Sequence, residues 1–265
     1  MITIGSTAKN SNSIFQLRKS HEAILNASNK LTSGKRINSA KDDPTGFAIS
    51  SLMTSQIRES NQSIRNANDG ISFNQVADGA LASASESLQR VRELAIQASN
   101  GTLNDSNRQS IQAEINQLTD HINDISKNTT FNGINVFDDN KSLNIQVGSE
   151  QGISIELANL AEQEYSAETM SSASDTIGEI DNALQQINED RSRIGATQSR
   201  FISTINNLSD AIIQSESARS RIEDADYAQS VSELIKAQLT EKANNIMLVK
   251  GRESDKAMIN QILGS

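Results

Sequence analysis

The stretch that begins Ile177-Gly-Glu-Ile-Asp-Asn-Ala-Leu-Gln-Gln-Ile187 decides the fold. Alternating steps of three and four residues lead from it through Ile177, Ile180, Leu184, Ile187, Arg191, Ile194, Gln198, Phe201, Ile205, Leu208, Ile212, Ser215, Arg219 and Ile222, and ten of these fourteen positions are apolar. At the chain-wide apolar fraction of 35%, chance placement would fill about five. Heptad spacing of this kind marks a helix with one narrow apolar stripe. As a single helix, residues 177–222 extend about 69 Å at 1.5 Å per residue. A compact domain of 28.7 kDa is not that wide, so the pattern predicts a coiled-coil rod.

Two shorter seams flank it. Leu81, Ala84, Leu88, Val91, Ala95 and Ala98 form one; Ile111, Ile115, Leu118, Ile122 and Ile125 form the other. Gly101 between them suits the residue after a helix end, and Ser106 with Gln109 reads as a capping box that opens the next helix. These signals predict an antiparallel helical hairpin against which the 177–222 helix packs. Further upstream, Asp43 followed by Pro44 suits an N-cap and first helical position.

Residues 128–160 change character. Phe131–Phe137, Leu143–Val147 and Ile153–Leu157 alternate with period two, separated by Asp138-Asp139-Asn140 and by Gly148–Gly152. They predict a small β-hairpin patch, with helix resuming after Ser171-Ser172. Both chain ends are amphipathic as well. Ile14, Leu17, His21, Ile24, Ser28 and Leu31 follow a heptad that stops at Gly34, and Val231, Leu234, Ile235, Ile259 and Leu263 belong to a broader apolar face near the other end. Neither helix is stable alone in water, so the two are expected to pair and to draw further burial from neighbouring molecules. The fold class predicted is mainly α: a long antiparallel helical bundle with a small β patch and paired terminal helices. Its parts are a terminal coiled coil of residues 1–42 and 226–265 and a helical rod domain of 43–225.

Composition narrows the function classes. The 265 residues include six Phe, two Tyr, no Trp and no Cys. Without cysteine there is no disulfide framework and no thiolate metal site. A chain so poor in aromatics is a weak candidate for a thick enzyme core. The net charge of −9 argues against nucleic acid as a partner. It divides unevenly: 1–42 hold seven basic and two acidic residues (+5), 226–265 five of each, and 43–225 twelve basic and 26 acidic (−14). No apolar run approaches the roughly 18 residues of a membrane span. The first ten residues, Met1 to Asn10, lack the charged and apolar regions of a cleaved general-secretory signal.

No P-loop, paired-glycine dinucleotide motif or HExxH is present, so no catalytic, cofactor or metal site is expected. His121 with Asp120 and Asp124 reads as a solvated helical face, and His21 as a polar residue setting register on the terminal seam.

Five motifs resemble one family. Asn29–Ser50 looks like the N-terminal signature of bacterial flagellins, as does Asn66-Ala-Asn-Asp-Gly-Ile-Ser72. Leu88-Gln-Arg-Val-Arg-Glu-Leu-Ala-Ile-Gln-Ala-Ser-Asn-Gly101 is similar too, followed by Thr130-Phe-Asn-Gly133 with Ile145-Gln-Val-Gly148, and by Ser220-Arg-Ile-Glu-Asp-Ala-Asp-Tyr-Ala228. They occur in the family's order and cover nearly the whole chain. The span from Leu160 to Ile177 leaves no room for an outer variable domain, so the chain resembles a core-only flagellin.

The resemblance implies a subunit that is exported unfolded by the flagellar type III apparatus and polymerises into the extracellular filament for swimming. It implies self-association, an export chaperone, a filament cap and junction proteins as partners, and a host innate immune receptor of the Toll-like type that would contact Gln89, Arg90, Leu94 and Glu114. The 29–50 segment similarly resembles a peptide sensed by plant receptor kinases. Ile14, Leu17, Ile24, Leu31, Val231, Leu234, Ile235, Ile259 and Leu263 would build the terminal coiled coil and polymer interface. Two stretches depart from the family pattern: Pro44-Thr45 with Phe47, and the charged Lys250–Lys256. A hook–filament junction protein shares the terminal pattern, and a soluble coiled-coil adaptor is the alternative from another class.

Overall fold

Asp43 and Pro44 open a helix as the sequence predicts. The Asp43 carboxylate accepts a hydrogen bond from Gly46 N at 2.9 Å, and Pro44 stands where its missing N–H costs nothing. The computed structural model describes residues 3–137, 142–148, 152–157 and 164–263, the side chains of 3–10, 255, 258, 259 and 261–263 excepted. Along the chain run α1 (Thr3–Ser33), α2 (Pro44–Ala98), α3 (Asp105–Asn128), β1 (Thr130–Phe131), β2 (Ile134–Asn135), β3 (Leu143–Gln146), β4 (Gly152–Ile155), α4 (Met170–Glu223) and α5 (Tyr227–Leu263). Two compact units form: Ile57–Ile213, and the stretches before and after it. Both divisions fall inside helices, α2 and α4, rather than in connections.

In Ile57–Ile213 the three predicted seams meet. Leu81, Leu88 and Val91 of α2, Ile111, Ile115 and Ile122 of α3, and Ile180, Ile187, Ile194 and Phe201 of α4 lie buried in one cluster. Each such side chain contributes roughly 1.5–3 kcal/mol on leaving water. Helices α2 and α4 are antiparallel: Phe201 lies against Gly70, Arg191 Nε reaches Asp78 Oδ1 at 2.8 Å, and Arg92 Nε reaches Asp181 Oδ1 at 2.7 Å. As the numbers rise along one helix, their partners' numbers fall along the other.

The α2–α3 corner differs from its sequence reading. Asn104, not Ser106, caps α3: its backbone is extended and its side chain accepts from Asn107 N at 2.8 Å. Helix therefore begins one residue before Ser106, which lies inside it and has no N-terminal amide left to cap. Gly101 is not among the residues of positive φ, so its freedom is not what ends α2. The corner is closed by Arg108, buried, whose guanidinium donates to the carbonyls of Ala98 at 3.1 Å, Leu103 at 2.9 Å and Asn100 at 3.2 Å. One rigid planar donor thus satisfies three carbonyls around a helix end.

The stretch Phe131–Phe137 reads as one alternating segment but folds back on itself. Asn132 (φ 51°) and Gly133 (φ 78°) both adopt the left-handed backbone of a two-residue hairpin turn, pairing Phe131 with Ile134. The second hairpin pairs Leu143 with Ile155 and Ile145 with Ile153. The Asp138-Asp139-Asn140 turn and residues 149–151 lie outside the described residues. Phe131 meets Phe73 of α2 edge-on at 5.8 Å, and Asn66 Nδ2 donates to Gln146 O at 2.9 Å.

The run 164–169 is strapped to α3 by Gln112, which donates to Tyr165 O at 2.8 Å and accepts from Ala167 N at 2.5 Å. Helix α4 then starts slightly earlier than predicted, at Met170, because Thr169 Oγ1 accepts from Ser172 N at 3.0 Å and caps the turn.

A methyl group on Gly70 would lie 2.6 Å from Phe201 Cζ, whereas one on Gly79 would meet nothing within 4 Å. Gly→Ala gains up to about 1 kcal/mol inside a helix, and overpacking costs about 1–3. In urea unfolding, Gly70→Ala is therefore expected to destabilise the protein and Gly79→Ala to stabilise it. Burial, with a smaller contribution from Glu179, pushes the Tyr165 hydroxyl up to about 12. The folded state then holds a proton that the unfolded chain releases near pH 10. This stabilisation is complete below pH 10 and is lost as pH rises toward 12. Tyr165→Phe should remove that limb from a plot of melting temperature against pH.

Candidate assembly surface

Gly34 ends α1 with φ 70°, as its position predicts. The turn that follows is stitched to the α4–α5 connection. Arg36 N donates to Glu223 O at 2.6 Å and Ala225 N to Gly34 O at 3.0 Å, around an antiparallel bridge of Lys35 with Asp224. Side chains reinforce it: Lys35 Nζ lies 2.6 Å from Glu223 Oε1, and Arg36 Nη2 donates to Ile222 O at 2.6 Å, satisfying a carbonyl at the end of α4. Asp226 opens α5 by accepting from Gln229 N at 3.0 Å through its side chain. On the α2 side, Asn38 N and then Ser39 hold the Asp42 carboxyl below its ordinary range.

From this stitch α1 and α5 run antiparallel. The α1 residues turned inward are Ser13, Leu17, Ser20, Ile24, Ala27 and Leu31, and those of α5 are Ser230, Leu234, Ala237, Glu241, Asn244 and Leu248. Large and small residues alternate, and the small ones let the helices approach. Asn244 Nδ2 donates to Ser20 Oγ at 3.2 Å, and His21 Nδ1 lies 3.3 Å from Glu241 Oε1. A groove of about 450 Å³ follows the pair, with Ala23, Ala27 and Ala237 among its lining residues and Lys19, Lys30, Lys236 and Glu233 supplying charge.

Among the residues expected at the interface, Leu17, Ile24, Leu31 and Leu234 are turned into this seam, with Val231 half-buried beside it. Ile14 and Ile235 face away and are exposed by 39% and 51%. The side chains of Ile259 and Leu263 lie outside the described residues. Ser20, Ala27 and Ala237 were missed because a search for apolar heptads passes over small residues. The signal available was a small residue midway between Leu17 and Ile24, and again between Ile24 and Leu31.

Helix α5 carries a second stripe. Ile235, Leu239, Ile246 and Val249 lie nearly opposite the seam at helical spacing, and all are exposed, Leu239 by 62%. Phe15 and Leu25 are likewise exposed on α1. Large side chains held in water over this length of helix mark an interaction face.

The residues expected at the receptor surface separate. Gln89 is exposed, and Arg90 bridges the hairpin: Nη2 and Nε lie 2.9 and 3.2 Å from Glu114 Oε1, and Nη1 lies 3.0 Å from Glu93 Oε2. Glu114, then Glu93, push the guanidinium still further toward its charged form. Leu94 is only 2% exposed and belongs to the core, so it is absent from the surface that the other three share. His121, Asp120 and Asp124 are all exposed. No group of three potential metal-ligating side chains occurs among the described residues, and no helix there is long and apolar enough to cross a membrane.

A model of the bacterial flagellin N-terminal helical region matches residues 4–142, and one of the bacterial flagellin C-terminal helical region matches residues 177–261. Over 245 residues the chain is 38% identical to a flagellin of Halalkalibacterium halodurans, covering 88% of this chain and 89% of that one. Over 284 residues it is 34% identical to a flagellin of Bacillus subtilis, covering 91% and 93%. The crystal structure of Bacillus cereus flagellin superposes with a TM-score of 0.49 at 30% identity, covering 54% of this chain and 88% of that one.

The natural chain has no cysteine, so introduced pairs report on the seam without background. Once α1 and α5 are paired, Ser20→Cys with Asn244→Cys should form a disulfide under mild oxidation, since those side chains touch in the pair. Ile14→Cys with Ile235→Cys, which point away from the seam, should not. Non-reducing electrophoresis after proteolysis distinguishes the two.

Proposed function

Because the chain belongs to the bacterial flagellin family, whose members are structural subunits of the flagellar filament and not enzymes, we propose that it polymerises through its paired terminal helices. The observation that carries this reading is the uncovered stripe Ile235, Leu239, Ile246 and Val249 on α5. A helix with one apolar stripe is satisfied by one partner. A helix with a second stripe on its far side needs another, and neighbouring subunits supply it. In this reading residues 1–42 and 226–265 form the inner part of the filament wall, and the acidic 43–225 the outer part. The terminal helices order on assembly, when the cost of ordering is met by contacts between subunits.

Export of the unfolded chain through the flagellar type III apparatus follows from the same reading, with an export chaperone, a cap and junction proteins as partners and the extracellular filament as the destination. The exposed Gln89, Arg90 and Glu114 form the part of the α2–α3 surface open to an innate immune receptor.

Seeded polymerisation followed by electron microscopy tests the proposal. Wild-type protein should elongate seeds into long filaments with a gain of helix in circular dichroism. Leu239→Ser should leave the Ile57–Ile213 unit's melting transition unchanged and abolish elongation. A wild-type chain that stays soluble with seeds present, or a variant that elongates normally, would overturn it. For recognition, Arg90→Ala removes only exposed ion pairs with Glu114 and Glu93, which solvent screens. The fold should survive while receptor activation by the variant falls, and undiminished signalling would sink that part of the reading.

A further inference from the structure

The dipeptide Asn-Gly occurs twice in the chain, at Asn100-Gly101 and Asn132-Gly133. It is open to a reaction between its own atoms, because glycine puts no Cβ in the path from its amide nitrogen to the preceding side chain. All four residues are exposed, so exposure does not separate the two sites. Geometry does.

Asn132 has φ 51° and sits in the left-handed turn between β1 and β2. The pairs Phe131 with Ile134 and Thr130 with Asn135 hold that turn from both sides. Bringing Gly133 N onto the Asn132 side chain rotates the main chain out of the left-handed region, and the hairpin must part first. Asn100 is not among the residues of positive φ. Its side chain is already oriented, with Oδ1 accepting from Thr102 N at 3.1 Å. That N–H points at the oxygen on which negative charge gathers when a nucleophile adds to Cγ. Among the described residues Gly101 N has no acceptor, so base can reach its proton. The contacts on the Asn100 carbonyl, from Leu103 N and Arg108 Nη2, are long at 3.2 Å each. Turning the Asn100 peptide toward its own side chain therefore breaks only weak hydrogen bonds.

We propose that Asn100 is a site of spontaneous modification to aspartate and isoaspartate, and that the fold directs the reaction there rather than to Asn132. Hydroxide takes the Gly101 amide proton, and the nitrogen adds to Asn100 Cγ. The displaced electron pair rests on Oδ1, under the Thr102 N–H, until the carbonyl re-forms and ammonia leaves with a proton from water. One water then opens the five-membered imide. Cleavage of the new N–Cγ bond gives aspartate, and cleavage of the original peptide bond gives isoaspartate. The net change is asparagine and water to a carboxylate and ammonia, with no oxidant or reductant. Isoaspartate reroutes the main chain through Cβ and Cγ. It thus displaces the Asn100 carbonyl that the buried Arg108 uses, together with those of Ala98 and Leu103, to close the α2–α3 corner. The corner lies in the Ile57–Ile213 unit, so this proposal is independent of the assembly reading.

Ageing the full-length protein in mildly alkaline buffer, followed by digestion and mass spectrometry, tests it. Peptides carrying residue 100 should gain one mass unit about tenfold faster or more than those carrying residue 132. A protein isoaspartyl methyltransferase should label the heavier form. In urea the two rates should converge, because only the folded state separates them. A Cβ on Gly101 would meet nothing within 4 Å, so Gly101→Ala should fold normally. That variant should slow the reaction at residue 100 about tenfold or more and leave residue 132 unchanged. Equal native rates at the two sites, a faster reaction at Asn132, or a difference that persists in urea would overturn the proposal. So would a Gly101→Ala variant that ages at the wild-type rate.

Discussion

Phe201 can enter the α2 seam only because residue 70 has no side chain, and the close approach of helices that this represents governs the larger unit. With eight aromatic residues in 265, the chain cannot fill a broad core. It brings helices close instead. Ala67, Ala77, Ala84, Ala95 and Ala98 are each fully buried on α2, and Phe201 of α4 lies against the backbone at Gly70. Burial per residue is modest, so the helices must be long to accumulate enough of it. Helices α2 and α4 have 55 and 54 residues.

Close packing leaves helix ends as the expensive places, because their carbonyls and amides have no intrahelical partner. Side chains close them from a distance. Arg108 satisfies three carbonyls where α2 gives way to α3, Gln112 straps the 164–169 run, and Arg36 reaches the last turn of α4. The bridge of Lys35 with Asp224 does the same with backbone, and it makes the start of α5 depend on the end of α1 although nearly 190 residues separate them. The terminal pair thus inherits its register from a stitch, and its own seam of alternating large and small residues then extends it.

Much of this could be read from residues alone. The heptads of 81–98, 111–125 and 177–222 lie on the faces that are buried, since a stripe with no competitor on its helix has one way to be covered. The Asp43-Pro44 start and the Gly34 stop were equally plain, because φ preference is local. Less legible was the terminal pair. On α1 two heptads overlap: Ile14, His21 and Ser28 interleave with Leu17, Ile24 and Leu31 as evenly as Ser13, Ser20 and Ala27 do. Hydrophobicity favours the first set, yet the second is turned inward, because a small residue at alternate positions is what lets α5 approach. Similarly, Leu94 looked like part of a surface, and its burial depends on α3 and α4 folding over it.

The sequence by itself determined that the chain is helical, where its apolar seams run, where two hairpins interrupt them and to which family it belongs. All of these follow from spacing along one element or from motifs read in order. Tertiary structure alone decided which of two stripes on α5 is covered and that Asn104 and not Ser106 caps α3. The physical reason is the same in each case. Spacing fixes which residues share a face, but whether that face meets another helix, water or nothing is set by how closely a second helix can approach, and that depends on side chains far away in the chain.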